Sequence, residues 1–132
     1  MKKKNGFTLI ELLAVIVILA IILVIAVPKI LSVITDSTKS SFESSVVMIA
    51  SSAEKDYQIK KINGGTQATT CSEVAKVDSA LATACTLSYD SAGNATVAIT
   101  SVASGKFKGC SGTYASVNST WTTEAACSNS LK

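Results

Sequence analysis

The sequence predicts an α+β fold in which one long N-terminal helix packs on a small antiparallel β-sheet. Three observations support this prediction. A nearly unbroken apolar run occupies residues 7–27, an amphipathic helical stripe follows it, and short strand-like segments separated by glycine-containing turns fill the second half of the chain. The apolar run and the stripe belong to one helix, and the strand-like segments form the sheet.

The apolar run is long enough to cross a membrane. Of the 21 positions 7–27, only Thr8 and Glu11 are not apolar. As an α-helix, 21 residues extend about 32 Å, which matches the hydrocarbon thickness of a bilayer. The three lysines at positions 2–4 precede the run, and under the positive-inside rule they place its N-terminus in the cytoplasm. These features exclude a soluble cytosolic protein.

The helix continues beyond the apolar run as an amphipathic helix. Its apolar positions are spaced four, three, four and four residues apart, as expected for a helix with one buried face. They are Phe42, Val46, Ile49, Ala53 and Tyr57.

Two polar stretches bound this stripe. Residues 35–41 interrupt it on the N-terminal side, so we expect a wet or loosely packed turn there. Asn63-Gly64-Gly65 is a helix stop, so the predicted helix spans residues 7–62 and extends about 84 Å. A domain this small cannot bury such a helix alone. Its N-terminal half must be covered by lipid or by other subunits.

Residues 63–132 read as a compact exported head. Ser72 is a plausible N-cap for a short helix that runs through Leu81. The period-two pattern predicts three or four antiparallel strands that pack on the helix face at residues 42–57. The predicted strands cover residues 86–89, 95–102, 105–110 and 113–117, with a turn at 91–94 between the first two.

The residue composition argues against an enzyme. The chain has 132 residues, with 12 lysines, 9 acidic residues, no histidine and no arginine. The commonest general base is therefore missing, and so is the side chain that clamps phosphate with two hydrogen bonds. We expect no catalytic activity and no cofactor.

The N-terminal run resembles the class III leader of type IV prepilins and pseudopilins. It reads Lys-Lys-Lys-Asn-Gly, then Phe-Thr-Leu-Ile-Glu-Leu, an apolar stretch and Pro28. A plain membrane anchor and a secretory signal are the alternatives. Glu11 fits both poorly, because a carboxylate within an apolar membrane helix costs about 2.5–3.5 kcal/mol. A secretory signal would also end in a small-residue cleavage site, and none follows the run.

The resemblance implies a pilin fold and a defined processing pathway. A prepilin peptidase is expected to cut between Gly6 and Phe7, removing the leader of residues 1–6, and the new Phe7 amine is methylated. Glu11 is expected to neutralise that amine, on an adjacent subunit or within its own chain, and so set the register of filament assembly. Pro28, at the end of the membrane-spanning and polymerising segment 7–28, is expected to kink the helix because it lacks an N–H. Many relatives have glycine where this chain has Ala20, which leaves the extent of helix melting open.

Four cysteines lie in the predicted head: Cys71, Cys85, Cys110 and Cys127. The absence of histidine and of a Cys-x-x-Cys pair argues against a zinc site, so we expect no metal. A small exported domain commonly needs disulfides, and four cysteines allow three pairings. The sequence does not choose among them. We favour Cys71–Cys85 and Cys110–Cys127, each of which closes a local loop, and the second pair resembles the C-terminal disulfide region of pilins.

These observations predict a structural subunit of a type IV pilus that supports adhesion, twitching motility or DNA uptake. The alternatives are a pseudopilin of a competence or type II secretion system, or a minor pilin that acts as a tip adhesin or DNA receptor. The expected partners are further copies of the chain in a helical homopolymer, the prepilin peptidase, a membrane assembly platform and its ATPase. The precursor would be a single-pass membrane protein, and the product an extracellular surface filament.

Nucleic acid is a possible partner that the sequence does not indicate. Lys106, Phe107 and Lys108, with Tyr114 and Trp121, could form a basic aromatic surface, but the simpler reading points Phe107 inward. Cleavage after Gly6 would remove three lysines and leave 12 − 3 = 9 lysines against 9 acids. The mature side chains would then carry no net charge that attracts nucleic acid.

Overall fold

Helix α1 dominates the secondary structure, and a short helix and four strands follow it. The computed structural model describes residues 2–128. The chain divides into two compact units, one ending at Ile34 and the other beginning at Thr35, and α1 contributes to both. The elements are α1 (Leu9–Asn63), α2 (Ser79–Thr83), β1 (Cys85–Tyr89), β2 (Ala95–Ile99), β3 (Cys110–Ala115) and β4 (Thr120–Cys127).

Helix α1 ends at a glycine stop, as the sequence predicts. Gly64 has a φ of +71°, a left-handed conformation that glycine adopts without a steric penalty. The Gly65 N–H then donates to the Lys60 carbonyl at 2.8 Å, which satisfies one of the last carbonyls of the helix. Lys60 and Lys61 lie in the last turn, where positive charge complements the helix dipole. The helix therefore stops within one residue of the predicted end.

The sheet is antiparallel throughout, in the order β1-β2-β3-β4. A tight turn joins β1 to β2, and the Asp90 carboxylate organises it by accepting the Ala92 and Asn94 N–H groups, each at 2.9 Å. The Asn94 side-chain amide also donates to Asp90, at 2.7 Å. These hydrogen bonds, that of the Asn94 side chain foremost, lower the pKa of Asp90 because they favour the charged carboxylate.

The core of the second unit lies between α1 and the sheet. The buried helix positions are Phe42, Val46, Ile49, Ala50 and Ala53. They form one apolar cluster with the inward residues of the strands, among them Leu87, Val97, Ile99 and Tyr114. The predicted packing of a sheet on the helix face at residues 42–57, and with it the α+β fold class, is confirmed.

A carboxylate supplements this apolar packing. Glu54 of α1 is half-buried, and its Oε1 accepts the Ala95 N–H at the start of β2 at 3.4 Å. The same oxygen accepts the Ser116 hydroxyl, in the short 3₁₀ turn that follows β3. Glu54 thus links the helix to the start of β2 and to the turn that follows β3.

Two details of the predicted head are wrong. Residues 105–109 do not form a strand, because Gly105 and Gly109 adopt positive φ angles of 79° and 77° in a turn that places Phe107 in the core, and β3 begins only at Cys110. The remaining strand is β4, which the sequence prediction missed. The continuous helix from Ser72 to Leu81 is also wrong. A 3₁₀ turn and α2 replace it, and the Asp78 side chain caps α2 through the Ala80 N–H at 3.0 Å.

The four cysteines form two disulfides, Cys71–Cys85 and Cys110–Cys127, which are the pairs favoured above. The first joins the 3₁₀ turn to the start of β1, with the two Cα atoms 5.7 Å apart. The chain between these cysteines must therefore return to its starting point. The break between the 3₁₀ turn and α2 accommodates that reversal, which explains why one uninterrupted helix does not form.

Candidate assembly site at the N-terminus

The segment before α1 is exposed and has no regular secondary structure around the predicted cleavage point. Residues 2–8 have no helical or strand structure, and Phe7 is 85% exposed. A Cβ added to Gly6 would meet nothing within 4 Å, and its φ lies outside the range that disfavours other residues. The fold of this chain therefore does not require glycine at position 6. A requirement for glycine there would come from a partner that must approach the backbone closely.

Thr8 and Glu11 form a reciprocal cap at the start of α1. The Thr8 N–H donates to Glu11 Oε2 at 2.8 Å, and the Glu11 N–H donates to Thr8 Oγ1 at 3.3 Å. This is the capping box of a Thr-x-x-Glu sequence, in which each side chain satisfies a backbone N–H that the first helical turn leaves free. Glu11 therefore already has a hydrogen-bonded role in the uncleaved chain.

The capping box could have been predicted from the sequence. The spacing of Thr8 and Glu11 is the standard signature of a capping box, whereas the role expected above for Glu11 involved only the Phe7 amine. In the uncleaved chain the Phe7 nitrogen is part of a peptide bond and carries no charge. The carboxylate therefore uses the Thr8 N–H, and Thr8 is a member of the site that sequence reasoning missed.

The helix that follows exposes its apolar side chains in every direction. Large apolar residues from Leu9 to Ile34 are 45–88% exposed. Among the described residues, α1 is the one helix that is long and apolar enough to cross a membrane, and none of its most apolar window is buried. Lipid or other protein must cover this surface, because exposed apolar area of this extent is unfavourable in water. The segment fits a membrane-anchored precursor.

Pro28 lies inside α1, and the helix continues on both sides of it. Because proline has no N–H, the carbonyl of Val24 lacks its usual helical donor. One turn further on, the Ser32 hydroxyl donates to the Lys29 carbonyl at 2.8 Å. A kink at Pro28 stays a prediction.

The aromatic surface considered for nucleic acid is part of the core instead. Phe107 is 5% exposed, and its ring meets that of Phe42 edge to face with the centroids 5.8 Å apart. Trp121 is half-buried and packs against Phe42 and Tyr114. Phe107 is therefore unavailable to stack on bases. Within residues 2–128 no group of three or more His, Cys, Asp or Glu could hold a metal ion.

Comparison with known proteins identifies the N-terminal segment. Residues 1–27 match the family model of the prokaryotic N-terminal methylation motif. The motif is the class III signal peptide of type IV pilins, so the resemblance to type IV prepilins and pseudopilins that the sequence indicated is confirmed. It implies processing by a prepilin peptidase and assembly into a polymer. Together with the helix-on-sheet fold and two disulfides, the motif supports a type IV pilin-like protein or a pseudopilin. No curated protein and no solved structure matches the chain.

Proposed function

We propose that the chain is a structural subunit of a type IV pilus and polymerises through its N-terminal helix. The observation that supports this most directly is Glu11, a carboxylate at the start of an exposed apolar helix and inside the methylation motif. In this proposal the chain carries out no chemistry of its own. It is a substrate of the peptidase, which cuts between Gly6 and Phe7 and leaves Phe7 as the methylated N-terminus.

Cleavage changes what Glu11 can bind. The new amine at Phe7 carries a positive charge one residue before Thr8 and four before Glu11, so an ion pair within the chain or with a neighbouring subunit becomes possible. An unpaired carboxylate among packed apolar helices is costly, and one that meets an amine is stabilised. Where the amine belongs to a neighbouring subunit, a subunit that packs in the wrong register leaves both charges unpaired. In that arrangement Glu11 selects the register of assembly.

The energetics of transfer from the membrane are consistent with this role. The exposed helix is surrounded by lipid in the precursor and by the helices of other subunits in the polymer. Both environments are apolar, so transfer between them requires no large hydrophobic penalty. The filament is expected at the cell surface, where it would support adhesion, motility or DNA uptake.

Two substitutions at Glu11 separate its two roles. Glu11→Gln keeps an oxygen that accepts the Thr8 N–H but cannot neutralise an amine, whereas Glu11→Ala loses both functions. We expect both variants to be cleaved after Gly6 and both to yield at least about tenfold fewer sheared surface filaments than the wild type. Electron microscopy with an antibody to residues 66–128 measures the filaments.

Thr8→Val is the matched control, because it removes the hydroxyl of the capping box and leaves the carboxylate charge. It should assemble more filament than either Glu11 variant. Wild-type filament yield from Glu11→Gln would contradict the ion-pair role. Intact-mass measurement of the surface protein should show loss of residues 1–6 and gain of one methyl group, and retention of residues 1–6 in assembled material would contradict the processing itself.

A further inference from the structure

Residues 35–41, a segment of α1 within the second unit, combine weak helix formers with the absence of a fully buried side chain. The sequence there is Thr-Asp-Ser-Thr-Lys-Ser-Ser. Threonine, serine and aspartate are poor helix formers, because their short polar side chains hydrogen-bond to the backbone in competing conformations. Six of the seven residues belong to this group. We call these seven residues the hydroxyl segment.

Tertiary packing does little to offset the weak propensity. The fully buried residues of α1 begin at Phe42, immediately after the hydroxyl segment. Within the segment every side chain is exposed or only half-buried. Since most helix stability in proteins comes from packing of an apolar face, the hydroxyl segment lacks the main contribution that stabilises residues 42–53.

Two serines further along α1 lower the cost of opening the segment. The Ser44 hydroxyl donates to the Ser40 carbonyl, and the Ser45 hydroxyl donates to the Ser41 carbonyl, each at 2.9 Å. Such bonds compete with the regular helix bonds to the same carbonyls. The two hydroxyls therefore slightly destabilise the helical turns that close on the Ser40 and Ser41 carbonyls.

An ion pair connects the hydroxyl segment to the sheet. Lys39 Nζ lies 3.4 Å from Glu124 Oε1 of β4, and the two side chains are 37% and 88% exposed. An ion pair this exposed contributes little to stability and weakens further in salt. It therefore tethers the segment to β4 without preventing the helix from opening.

We propose that the hydroxyl segment is a yielding element, which unwinds before the packed part of α1 does when a polymer of this chain is under tension. The low stability of the helix in this segment is independent of the proposed pilus function, and only the role of the segment under tension rests on that function. Seven residues that pass from helix to extended chain lengthen from 1.5 to about 3.4 Å each, which adds about 13 Å per subunit. The buried face that begins at Phe42 and the two disulfides stay intact during this extension.

Hydrogen exchange on the full chain in detergent micelles tests the element without a filament. Backbone amides of residues 37–43 should exchange at least about tenfold faster than those of residues 47–53 in the same helix. Replacing three exposed serines by alanine, in the variant Ser37→Ala/Ser40→Ala/Ser44→Ala, should slow exchange at residues 37–43 about tenfold, because alanine is the best helix former. Ser51→Ala, at an exposed position beside the buried stripe, is the matched control and should leave that stretch unchanged.

Equal exchange rates in the two stretches would overturn the proposal, as would a triple variant that exchanges like the wild type. A failure of the chain to form filaments would leave this measurement intact, so the two hypotheses fail separately. In filaments, the triple variant should extend less than the wild type at the same pulling force. Equal extension would overturn the mechanical role.

Discussion

At the scale of single residues, glycine contributes in different ways along this chain. Gly6 faces open space, so its small size has no role in the fold. Gly93 is the opposite case. It lies in the turn between β1 and β2 with φ +94°, and a Cβ there would approach the Tyr57 ring to 2.5 Å. The turn can lie against α1 only because position 93 has no side chain.

The pair Gly93→Ala and Gly64→Ala measures this contact. Both glycines have positive φ, but nothing lies within 4 Å of a Cβ at Gly64. Gly64→Ala should therefore cost only the backbone strain, about 1–2 kcal/mol. Gly93→Ala should cost clearly more, because the Tyr57 ring must also move. Thermal unfolding followed by near-ultraviolet circular dichroism compares the two variants, and equal losses would show that the ring contact does not restrict the turn.

Tyr89 is the neighbour of Tyr57 across this contact, with the ring centroids 5.1 Å apart. Burial raises the pKa of Tyr89, and the nearby negative charges of Asp56 and Glu73 act in the same direction. All three effects disfavour the phenolate. The group therefore stays protonated at neutral pH and acts as an apolar ring with a polar tip.

At the scale of elements, one narrow stripe supplies the apolar packing that attaches α1 to the sheet. Phe42 is fully buried and contacts both Phe107 and Trp121, so it joins the helix to the 105–109 turn and to β4. Phe42→Ala should lower the free energy of unfolding by about 3–5 kcal/mol. Met48→Ala, at a 51% exposed position of the same helix, is the control and should cost under about 0.5 kcal/mol. Denaturant or thermal unfolding in micelles measures both, and similar losses would contradict the packing described here.

Whether an element could be predicted from the sequence depends on how regularly its apolar and polar residues alternate or repeat. The stripe from Phe42 to Ala53 has helical spacing, so the helix and its buried face were predictable. In β4 the inward positions are Trp121, Ala125 and Cys127, and the exposed Thr123 interrupts their alternation. An irregular register between Ser111 and Tyr114 also shifts its pairing with β3. The period-two signal of β4 is therefore weak, and the sequence prediction missed the strand.

The candidate site was predictable for a different reason. Its residues belong to a local motif, and the Gly6, Phe7 and Glu11 positions follow directly from that motif. The capping box at Thr8 is equally local and has a recognisable spacing. By contrast, Glu54 binds partners 41 and 62 residues away, and no local pattern in the sequence indicates such contacts.

At the scale of the whole molecule, the two disulfides stabilise the second unit through the unfolded state. They close loops with sequence separations of 14 and 17 residues. Loops of this size correspond to about 3 kcal/mol each in the chain-entropy model. Replacing Cys71 and Cys85 together by serine, or Cys110 and Cys127 together, should lower stability by about that amount. Thermal unfolding checks this, and a loss under about 0.5 kcal/mol in either double variant would show that its disulfide is dispensable.

The positions of the disulfides have a consequence for covalent topology. Both link residues between 71 and 127, so neither one bonds α1 to the sheet. The helix is held there by side-chain packing, by Glu54 and by one exposed ion pair. A helix from a second copy could therefore replace it on the same sheet without any thiol exchange. The two disulfides thus keep the sheet intact when the helix leaves it, and the helix remains attached to the sheet only through the connecting backbone.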